Sequence, residues 1–307
     1  MKVLVTGGAG FIGSNIVKLL EQRGDQVIVF DNFSHANYKN LFGTKAEVIC
    51  GDILTEGIFK KIPKVDAVIH EAAITDTTLP DDTKMVQVNF EGFKNIFAYA
   101  CKNKLKLVYA SSAGVYGNAN SPMKESHKSC PHNIYGYSKW LCDRYLRQQS
   151  ARKRPLRVVG LRYFNVYGPG ETHKVKSRSV SMIYQLYQQM KANQRPRVFE
   201  YGKQRRDFVY VKDVARITVA ALGVKKDAIL NVGTGEARSF NEIINILNNC
   251  LNKKLAPDYF ENPYKKVYQD FTQADISLLK GLKLTPEFML EAGIKDYVEN
   301  HLNASTL

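Results

Sequence analysis

A glycine-rich turn near the start of the chain constrains the fold more than any other feature. Gly7, Gly10 and Gly13 follow the apolar run Val3–Val5 and precede a stretch with helical spacing, Ser14–Arg23. In turns of this type the first glycine permits a sharp bend, and the second lets a diphosphate approach the backbone at the helix N-terminus. The third lets the helix pack closely on the strand. The combination predicts a dinucleotide-binding unit.

Short apolar runs alternate with helical stretches through the first half of the chain. The runs are continuously apolar, which is typical of parallel strands buried on both faces. We therefore predict an α/β fold, a Rossmann-type doubly wound parallel sheet with a smaller C-terminal α/β substrate lobe. The predicted strands are Val3–Val5, Val27–Phe30, Val48–Cys50, Ala67–Ile69 and Leu107–Ala110.

The second half of the chain predicts the smaller lobe. We expect the Rossmann domain at 1–164 and mainly substrate lobe at 165–307, with parts of 208–235 packing back onto the first domain. No low-complexity tract separates the two. Tyr, Asn, Lys and Pro crowd Asn252–Gln269, which predicts loops. Helices are predicted at Ser179–Ala192, Val211–Leu222, Asn241–Leu251 and Pro286–Leu302.

Composition narrows the class of protein. The chain has 307 residues, of which 44% are apolar, enough to fill a sizeable core. No apolar run reaches the roughly 18 residues that a membrane span requires. We expect a cytoplasmic protein with no membrane partner. The 5 cysteines and 6 histidines lack the spacing of a disulfide framework or a metal site, so no metal is predicted.

The chain is strongly basic, with 44 Lys and Arg against 29 Asp and Glu and a net charge of +15. This excess suits a polyanionic ligand such as a nucleotide diphosphate, and it would also suit RNA. No helix-turn-helix, zinc finger or repeated basic-aromatic pattern accompanies the charge. We therefore favour a small anionic ligand over nucleic acid.

Tyr135 and Lys139 form a candidate acid/base pair. They are four residues apart, so on a helix they share a face and the ammonium lies near the phenol. A neighbouring positive charge helps a phenol to give up its proton and to act as a general base. A surface Tyr-Lys pair would have the same spacing. The glycine turn, and a strand that ends at Ser111 and Ser112, favour the catalytic interpretation.

The run Arg162–Lys174 reads Arg-Tyr-Phe-Asn-Val-Tyr-Gly-Pro-Gly-Glu-Thr-His-Lys. It resembles the ADP-L-glycero-D-manno-heptose 6-epimerases, a branch of the extended short-chain dehydrogenase/reductases, and the resemblance extends over nearly the whole chain. It implies epimerisation at C6 of an ADP-linked heptose through a transient 6-ketone, with bound NAD(P), in lipopolysaccharide core biosynthesis. Tyr135 and Lys174 would serve opposite faces of the reacting carbon, with Lys139 and Ser112 assisting Tyr135.

Two arguments about the nicotinamide cofactor lead to different predictions. Asp31 ends the second strand, and its carboxylate would repel a 2′-phosphate, which favours NAD. The resemblance implies NADP, which we expect, with Lys39 as the residue that would bind the phosphate. The cofactor contacts implied by the motif and the resemblance are Gly7, Gly10, Phe11, Ile12, Gly13, Asp31, Asn32, Lys39, Asp52, Ile53, Ala72, Ala73, Ile74, Asn89, Tyr135, Lys139 and Val166.

The resemblance also implies a site for a nucleotide-diphosphate sugar, in which the Arg206 guanidinium would grip the diphosphate. The implied substrate contacts are Ser112, Asn165, Lys174, Phe199, Glu200, Tyr201, Gly202, Arg206 and Tyr268. Alternatively, Lys174 would bind a phosphate of the substrate and would not act as an acid or base.

Other functions stay open at this point. The chain departs from the heptose epimerases after Lys174 and at Ile183, where those proteins have a histidine. A UDP-sugar 4-epimerase or a related nucleotide-sugar epimerase or dehydratase is therefore the first alternative. A non-catalytic cofactor- or RNA-binding protein is the second. We also expect a homo-oligomer, because this fold often pairs through the helix that carries Tyr135 and Lys139.

Overall fold

The computed structural model describes residues 1–76, 81–150, 156–173, 180–261 and 271–303, and it describes Glu200 by its backbone alone. In this part of the chain, seven parallel strands form the main sheet. In spatial order they are Ala228–Val232 (β10), Val158–Tyr163 (β6), Lys106–Ser112 (β5), Ala67–His70 (β4), Lys2–Thr6 (β1), Gln26–Asp31 (β2) and Glu47–Cys50 (β3). The predicted fold class is confirmed.

The α-helices alternate with these strands or follow them. Within the described ranges they are Phe11–Gln22 (α1), Asp82–Val86 (α2), Gly92–Lys102 (α3), Ile134–Ser150 (α4), Met182–Lys191 (α5), Val211–Ala221 (α6), Phe240–Leu251 (α7), Ser277–Gly281 (α8) and Leu290–Tyr297 (α9). Short π-helical turns at Gln87–Glu91 and Val298–Leu302 connect α2 to α3 and extend α9. None of the described helices is long and apolar enough to cross a membrane.

Strand side chains point alternately to the two faces of the sheet, and both faces are buried. Val3 and Val5 of β1 pack in the cluster that contains Ile16 of α1 and Ile217 of α6. Leu4 packs in the opposite cluster, with residues of α3 and α4. The strands are continuously apolar because helices cover the sheet above and below, as predicted.

Two small sheets build the second lobe. One contains Asn165–Tyr167 (β7), Arg205–Tyr210 (β9) and Ala237–Ser239 (β11), and the other contains Arg197–Phe199 (β8) and Asp258–Phe260 (β12). They surround a separate apolar cluster with α5, α7 and α9. The chain returns to the main sheet between these strands, because α6 packs on α1 and β10 pairs with β6.

The structure departs from the predicted elements in three places. α1 begins at Phe11, directly after Gly10, three residues earlier than predicted. The segment expected as loops contains β12, which pairs with β8 about 60 residues away; three residues are too short to show alternation in the sequence. The last predicted helix begins only at Leu290, after an extended Met289.

A buried ion pair fixes α4 on the sheet. Asp143 of α4 accepts hydrogen bonds from the Tyr109 hydroxyl and from Arg162 Nε, each at 2.8 Å. Both charged side chains are inaccessible to solvent, and the Arg162 guanidinium lies 4.7 Å from the centre of the Tyr116 ring. Removing one partner of such a pair leaves an uncompensated charge in a medium of low polarity.

Replacing Arg162 therefore tests how much this pair contributes. Arg162→Leu should lower the free energy of unfolding by about 3–5 kcal/mol, because Asp143 loses its cationic partner. Arg197→Leu is the matched control, because Arg197 pairs with Asp258 at 3.2 Å on the exposed surface and its loss should cost about 1 kcal/mol or less. Equilibrium denaturant unfolding measures both. Equal losses in the two variants would contradict this role for the buried pair.

Candidate active site

A cavity of about 720 Å³ lies at the carboxyl ends of the central strands. The strand order reverses between β1 and β4, so the connections leave the sheet in opposite directions and open a crevice there. The glycine turn, the ends of β2, β4 and β5, and the first turns of α4 line the crevice. This is the position at which an open parallel sheet binds a nucleotide ligand.

The glycine turn leaves room for a ligand because side chains are absent from it. Gly7 has φ +69°, a conformation that residues with side chains rarely adopt, and a Cβ atom there would lie 2.6 Å from Ala72 N. Gly10 N donates to Gly7 O at 3.0 Å, and α1 begins with the next residue. Phe11, Ile12 and Gly13 line the cavity, so the N-terminus of α1 faces it. The N–H groups of a first helical turn and the helix dipole favour an anion at this point.

Asp31 is fixed at the end of β2. Its carboxylate accepts hydrogen bonds from Ala9 N at 3.0 Å and from Phe33 N at 2.9 Å, and it lines the cavity. Burial raises the pKa of Asp31, although these backbone donors lower it. Asn32 donates to Asp52 at 3.0 Å, and both residues also line the cavity. The end of β2 therefore presents oxygen acceptors to a ligand.

Lys39 lies away from this group of acceptors. It is exposed in the 3₁₀ helix Tyr38–Leu41 and is not among the described residues that line the cavity. Lys139 is the one lysine or arginine among those described lining residues. It lies beside β5, which is three strand spacings, about 14 Å, from β2.

Asn89 holds the segment after β4 without lining the cavity itself. Its side chain accepts from Ile74 N at 2.7 Å and donates to Ile74 O at 2.9 Å and to Ser138 Oγ at 3.0 Å. Ala72, Ala73 and Ile74 line the cavity as a result of this bracing. Asn89 thus joins the cavity wall to helix α4.

Tyr135 and Lys139 lie together in the first turns of α4. Asn133 accepts a hydrogen bond from Gly136 N at 2.8 Å and so starts the helix just before Tyr135. Lys139 is 3% exposed, its Nζ donates to Ala110 O at 2.9 Å, and it lies 6.0 Å from the centre of the Tyr135 ring. Both residues line the cavity, so a phenol and a fixed ammonium meet at its floor.

Two serines end β5 beside this pair, with different surroundings. Ser112 Oγ accepts from Gly114 N at 3.0 Å, and a Cβ atom on Gly114 would lie within 4 Å of both Ser112 Oγ and the Tyr135 ring. Ser111 lines the cavity, and its buried hydroxyl has no hydrogen-bond partner among the described residues. The structure thus places Ser112 near the Tyr135 ring, whereas of the two serines Ser111 is the one that belongs to the described cavity wall.

The proposed substrate residues lie in the second lobe. Asn165 and Val166 belong to β7, and Val166 packs between the two apolar clusters. Arg206 lies in β9, is 7% exposed, and donates to Arg205 O at 3.0 Å. Phe199 ends β8, and Tyr201 has φ +60° and is exposed.

Three of the predicted residues fall wholly or partly outside the described part of the chain. Lys174 and Tyr268 belong to segments that the structure does not describe, and Glu200 is placed only by its backbone, in the 3₁₀ helix Glu200–Gly202. Ile183, at the position of the family histidine, is buried in the apolar cluster of the second lobe.

Several cavity residues were not predicted from the sequence. Glu71 directly follows β4, a position where side chains of parallel sheets commonly carry function, and this was the available signal. Tyr163 and His173 reach the cavity through contacts between distant segments. His173 Nδ1 lies 2.8 Å from Gly170 O and 3.3 Å from Asn40 Nδ2. Among the described residues, no group of His, Cys, Asp and Glu could hold a metal ion.

Comparison with known proteins gives a consistent result. Residues 3–233 match the model of a family described as the NAD dependent epimerase/dehydratase family. An ADP-L-glycero-D-manno-heptose-6-epimerase of Brachyspira hyodysenteriae is 40% identical over 312 residues, covering 97% of this chain and 96% of that protein.

Solved structures resemble the chain over its whole length. The crystal structure of the Helicobacter pylori ADP-L-glycero-D-manno-heptose-6-epimerase has a TM-score of 0.91 and 39% identity, covering 99% of this chain and 96% of that one. A UDP-glucose 4-epimerase from Thermotoga maritima, solved with UDP-glucose, has a TM-score of 0.90 but 28% identity, with complete coverage of both chains. The shape is thus shared, and the sequence is what distinguishes these relatives.

A substitution at Gly7 tests the geometry of the turn. Gly7→Ala should weaken binding of a nicotinamide dinucleotide at least ~10-fold, because alanine there is strained and its Cβ meets the Ala72 backbone. Gly57→Ala is the matched control: Gly57 has φ +70°, and a Cβ atom there meets nothing within 4 Å. Gly57→Ala should lose about 1–2 kcal/mol from left-handed strain and bind the cofactor normally, whereas Gly7→Ala should lose more because of the added backbone clash. Calorimetric titration with the dinucleotide measures both affinities. Equal affinities in the two variants would show that the turn at Gly7 does not bind the cofactor.

Proposed function

The chain belongs to the NAD dependent epimerase/dehydratase family, and on that premise we propose that it interconverts the two C6 epimers of ADP-glycero-D-manno-heptose. The observation that carries the proposal is the position of Tyr135 and Lys139, which lie together at the floor of a dinucleotide-type cavity. The choice of an ADP-heptose as the substrate is supported by sequence identity. The relatives named for this reaction are 39–40% identical, whereas a UDP-glucose 4-epimerase of the same shape is 28% identical.

The cavity fits a nicotinamide dinucleotide. The turn at Gly7 and Gly10 has no side chains where a diphosphate would approach, and the N-terminus of α1 faces that space. Asp31 and Asp52 offer acceptors for ribose hydroxyls at one end, and Lys139 offers donors at the other. When bound, this group accepts and returns a hydride; the protein residues must therefore manage the proton and orient the sugar.

Tyr135 is proposed to take the proton of the C6 hydroxyl in one epimer and, in the reverse direction, to return it to the ketone oxygen. Lys139 keeps its ammonium beside the phenol because its Nζ is anchored on Ala110 O. The Ser112 hydroxyl is proposed to hold the reacting oxygen. Its Oγ accepts from Gly114 N, which leaves the hydroxyl proton available to donate toward that oxygen. Removal of a proton by a positioned side chain contributes typically ~10²–10⁴-fold to rate.

In epimerisation through a ketone the hydride returns to the opposite face of C6, so the hydroxyls of the two epimers can be deprotonated by different residues. We infer that Lys174 serves the face opposite Tyr135, since lysine in a partly dry site can act as a base. This role rests on the family resemblance, because Lys174 lies outside the described residues. Arg206, Asn165, Phe199, Tyr201 and the residues around them are proposed to bind the nucleotide diphosphate.

The cofactor is proposed to be NAD rather than the expected NADP. The Asp31 carboxylate faces the cavity where a 2′-phosphate would lie, and Lys39 is exposed outside the described cavity wall. A phosphate beside a carboxylate is repelled by several kcal/mol at most, depending on the local polarity.

We also propose that the protein is a cytoplasmic homo-oligomer. The exposed Tyr137 ring lies 5.5 Å from Trp140 on α4, and it supports pairing through that helix.

Cofactor choice can be measured directly by calorimetric titration with NAD and NADP. The wild-type protein should bind NAD at least ~10-fold more tightly, and Asp31→Ala should reduce this preference because the repelling carboxylate is gone. Lys39→Ala is the control and should leave the ratio of the two affinities unchanged. A selective loss of NADP binding in Lys39→Ala would instead restore NADP as the cofactor.

The reaction is tested by supplying each C6 epimer of the ADP-heptose to wild type, Tyr135→Phe and Lys174→Met. Wild type should convert each into the other. Tyr135→Phe should turn over at least ~10²-fold more slowly while keeping its cofactor, because a general acid/base is lost. Lys174→Met should abolish interconversion but spare proton transfer on the face that Tyr135 serves, which a 6-aldehyde analogue reports.

Two results would change the assignment. Interconversion by Lys174→Met at the wild-type rate would remove the two-base mechanism. Activity of wild type only at C4 of UDP-hexoses would make the protein a UDP-sugar 4-epimerase, the alternative that the shared shape permits.

A further inference from the structure

Among the described residues that line the cavity, Glu71 is the acid that directly follows β4, and neither the motifs nor the proposed mechanism uses it. Its Oε1 lies 2.8 Å from the Tyr163 hydroxyl. That hydroxyl lies 2.8 Å from Thr218 Oγ1, and Thr218 Oγ1 lies 2.7 Å from Val214 O. Three consecutive short contacts thus connect the cavity to a backbone carbonyl of α6.

Counting hydrogen atoms along this chain assigns a proton to Glu71. The Tyr163 and Thr218 hydroxyls bring one hydrogen each, and the Val214 carbonyl brings none. If Glu71 were ionised, two hydrogens would have to serve three contacts, and one pair of oxygens would face each other without a hydrogen. If Glu71 is protonated, it donates to Tyr163, Tyr163 donates to Thr218, and Thr218 donates to Val214 O. Every contact is then a hydrogen bond.

The surroundings of Glu71 are consistent with a neutral acid. Burial raises the pKa of Glu71 to about 7, although the Tyr163 hydroxyl and the Lys139 ammonium lower it. Burial holds the pKa of Tyr163 well above its usual range, so that phenol stays neutral. Glu71 thus changes charge near neutral pH.

The other groups near Lys139 have fixed charge in this range. Burial lowers the pKa of His70 to about 3, and its Nδ1 lies 2.7 Å from Thr6 Oγ1, so the ring is neutral. Burial raises the pKa of Cys142 to about 12, so the thiol is also neutral. Of these neighbours, Glu71 is therefore the one whose protonation decides how much positive charge Lys139 presents to Tyr135.

We propose that Glu71 is a positioning residue that works in its protonated form, held neutral by the Tyr163–Thr218–Val214 chain so that the Lys139 charge beside Tyr135 is not offset. An ionised Glu71 would attract the ammonium and weaken its effect on the phenol. Ionisation would also break the chain that braces β4, β6 and α6 below the cavity. The inference rests on the proposed function only for the choice of assay substrate.

Glu71→Gln tests the proposal, because glutamine is neutral and its amide can donate to Tyr163 as the protonated acid does. Wild-type turnover should fall as pH rises through about 7. Glu71→Gln should keep its turnover and exceed wild type at pH ~8 by at least ~3-fold, because its neutral side chain does not offset the Lys139 charge. The folded state holds the Glu71 proton more tightly than the unfolded chain. Wild-type stability therefore declines from the ordinary glutamate range to about pH 7, and Glu71→Gln should lack this decline.

Glu125→Gln is the matched control. Glu125 is buried and, like Glu71, has a raised pKa, and its Oε1 accepts from Asn231 N at 2.8 Å, but it lies outside the described cavity wall. This variant should change the pH dependence of thermal unfolding as Glu71→Gln does, yet keep the wild-type pH dependence of turnover. A buried acid with a purely structural role behaves like Glu125.

Three outcomes overturn the proposal. Glu71→Gln could be folded and loaded with cofactor but inactive, which would mean that the ionised carboxylate is required. It could lose turnover above pH ~7 in parallel with wild type. It could leave the pH dependence of unfolding unchanged, which would mean that Glu71 is ionised throughout. The unfolding measurement needs no substrate, so it remains decisive even if the protein acts on neither heptose epimer.

Discussion

The anchoring of α4 on strands β5 and β6 is the constraint on which the site depends. Asp143 joins Tyr109 and Arg162 inside the molecule, and one turn earlier on the same helix the Lys139 ammonium is tied to Ala110 O. Two buried polar connections fix both the rotation and the height of the helix, because each buried charge must keep its partners. Tyr135 lies in the first turn of this helix, so the same two connections fix the position of its phenol.

The distribution of charge in the cavity follows from the same burial. Acceptors collect at the end of β2, where Asp31 is held by backbone donors, and the lone ammonium of the described wall lies beside β5. A low-polarity site strengthens interactions between such groups. A neutral Glu71 fits this arrangement, since a second charge next to Lys139 would cancel the field that the phenol requires.

The fold alone does not decide the substrate. The T. maritima UDP-glucose 4-epimerase and the H. pylori heptose epimerase match this chain with TM-scores of 0.90 and 0.91. Such a sheet can serve several nucleotide sugars, because specificity lies in side chains placed on a shared frame. In this chain the residues proposed to supply those side chains lie in the second lobe, around Arg206 in β9 and Tyr201 in the 3₁₀ helix that follows β8.

The sequence by itself determined the doubly wound sheet, the glycine turn and the Tyr135–Lys139 pair, because each is indicated by a pattern among residues close in the chain. Strand periodicity, φ > 0 glycines and helical spacing are local properties. The β8–β12 pairing and the Glu71–Tyr163–Thr218 chain were decided only by the tertiary structure. Their members come from segments far apart, and three-residue strands or single polar side chains carry no periodic signal. The protonation of Glu71 depends on how many hydrogens meet in one buried place, and only folding brings those groups together.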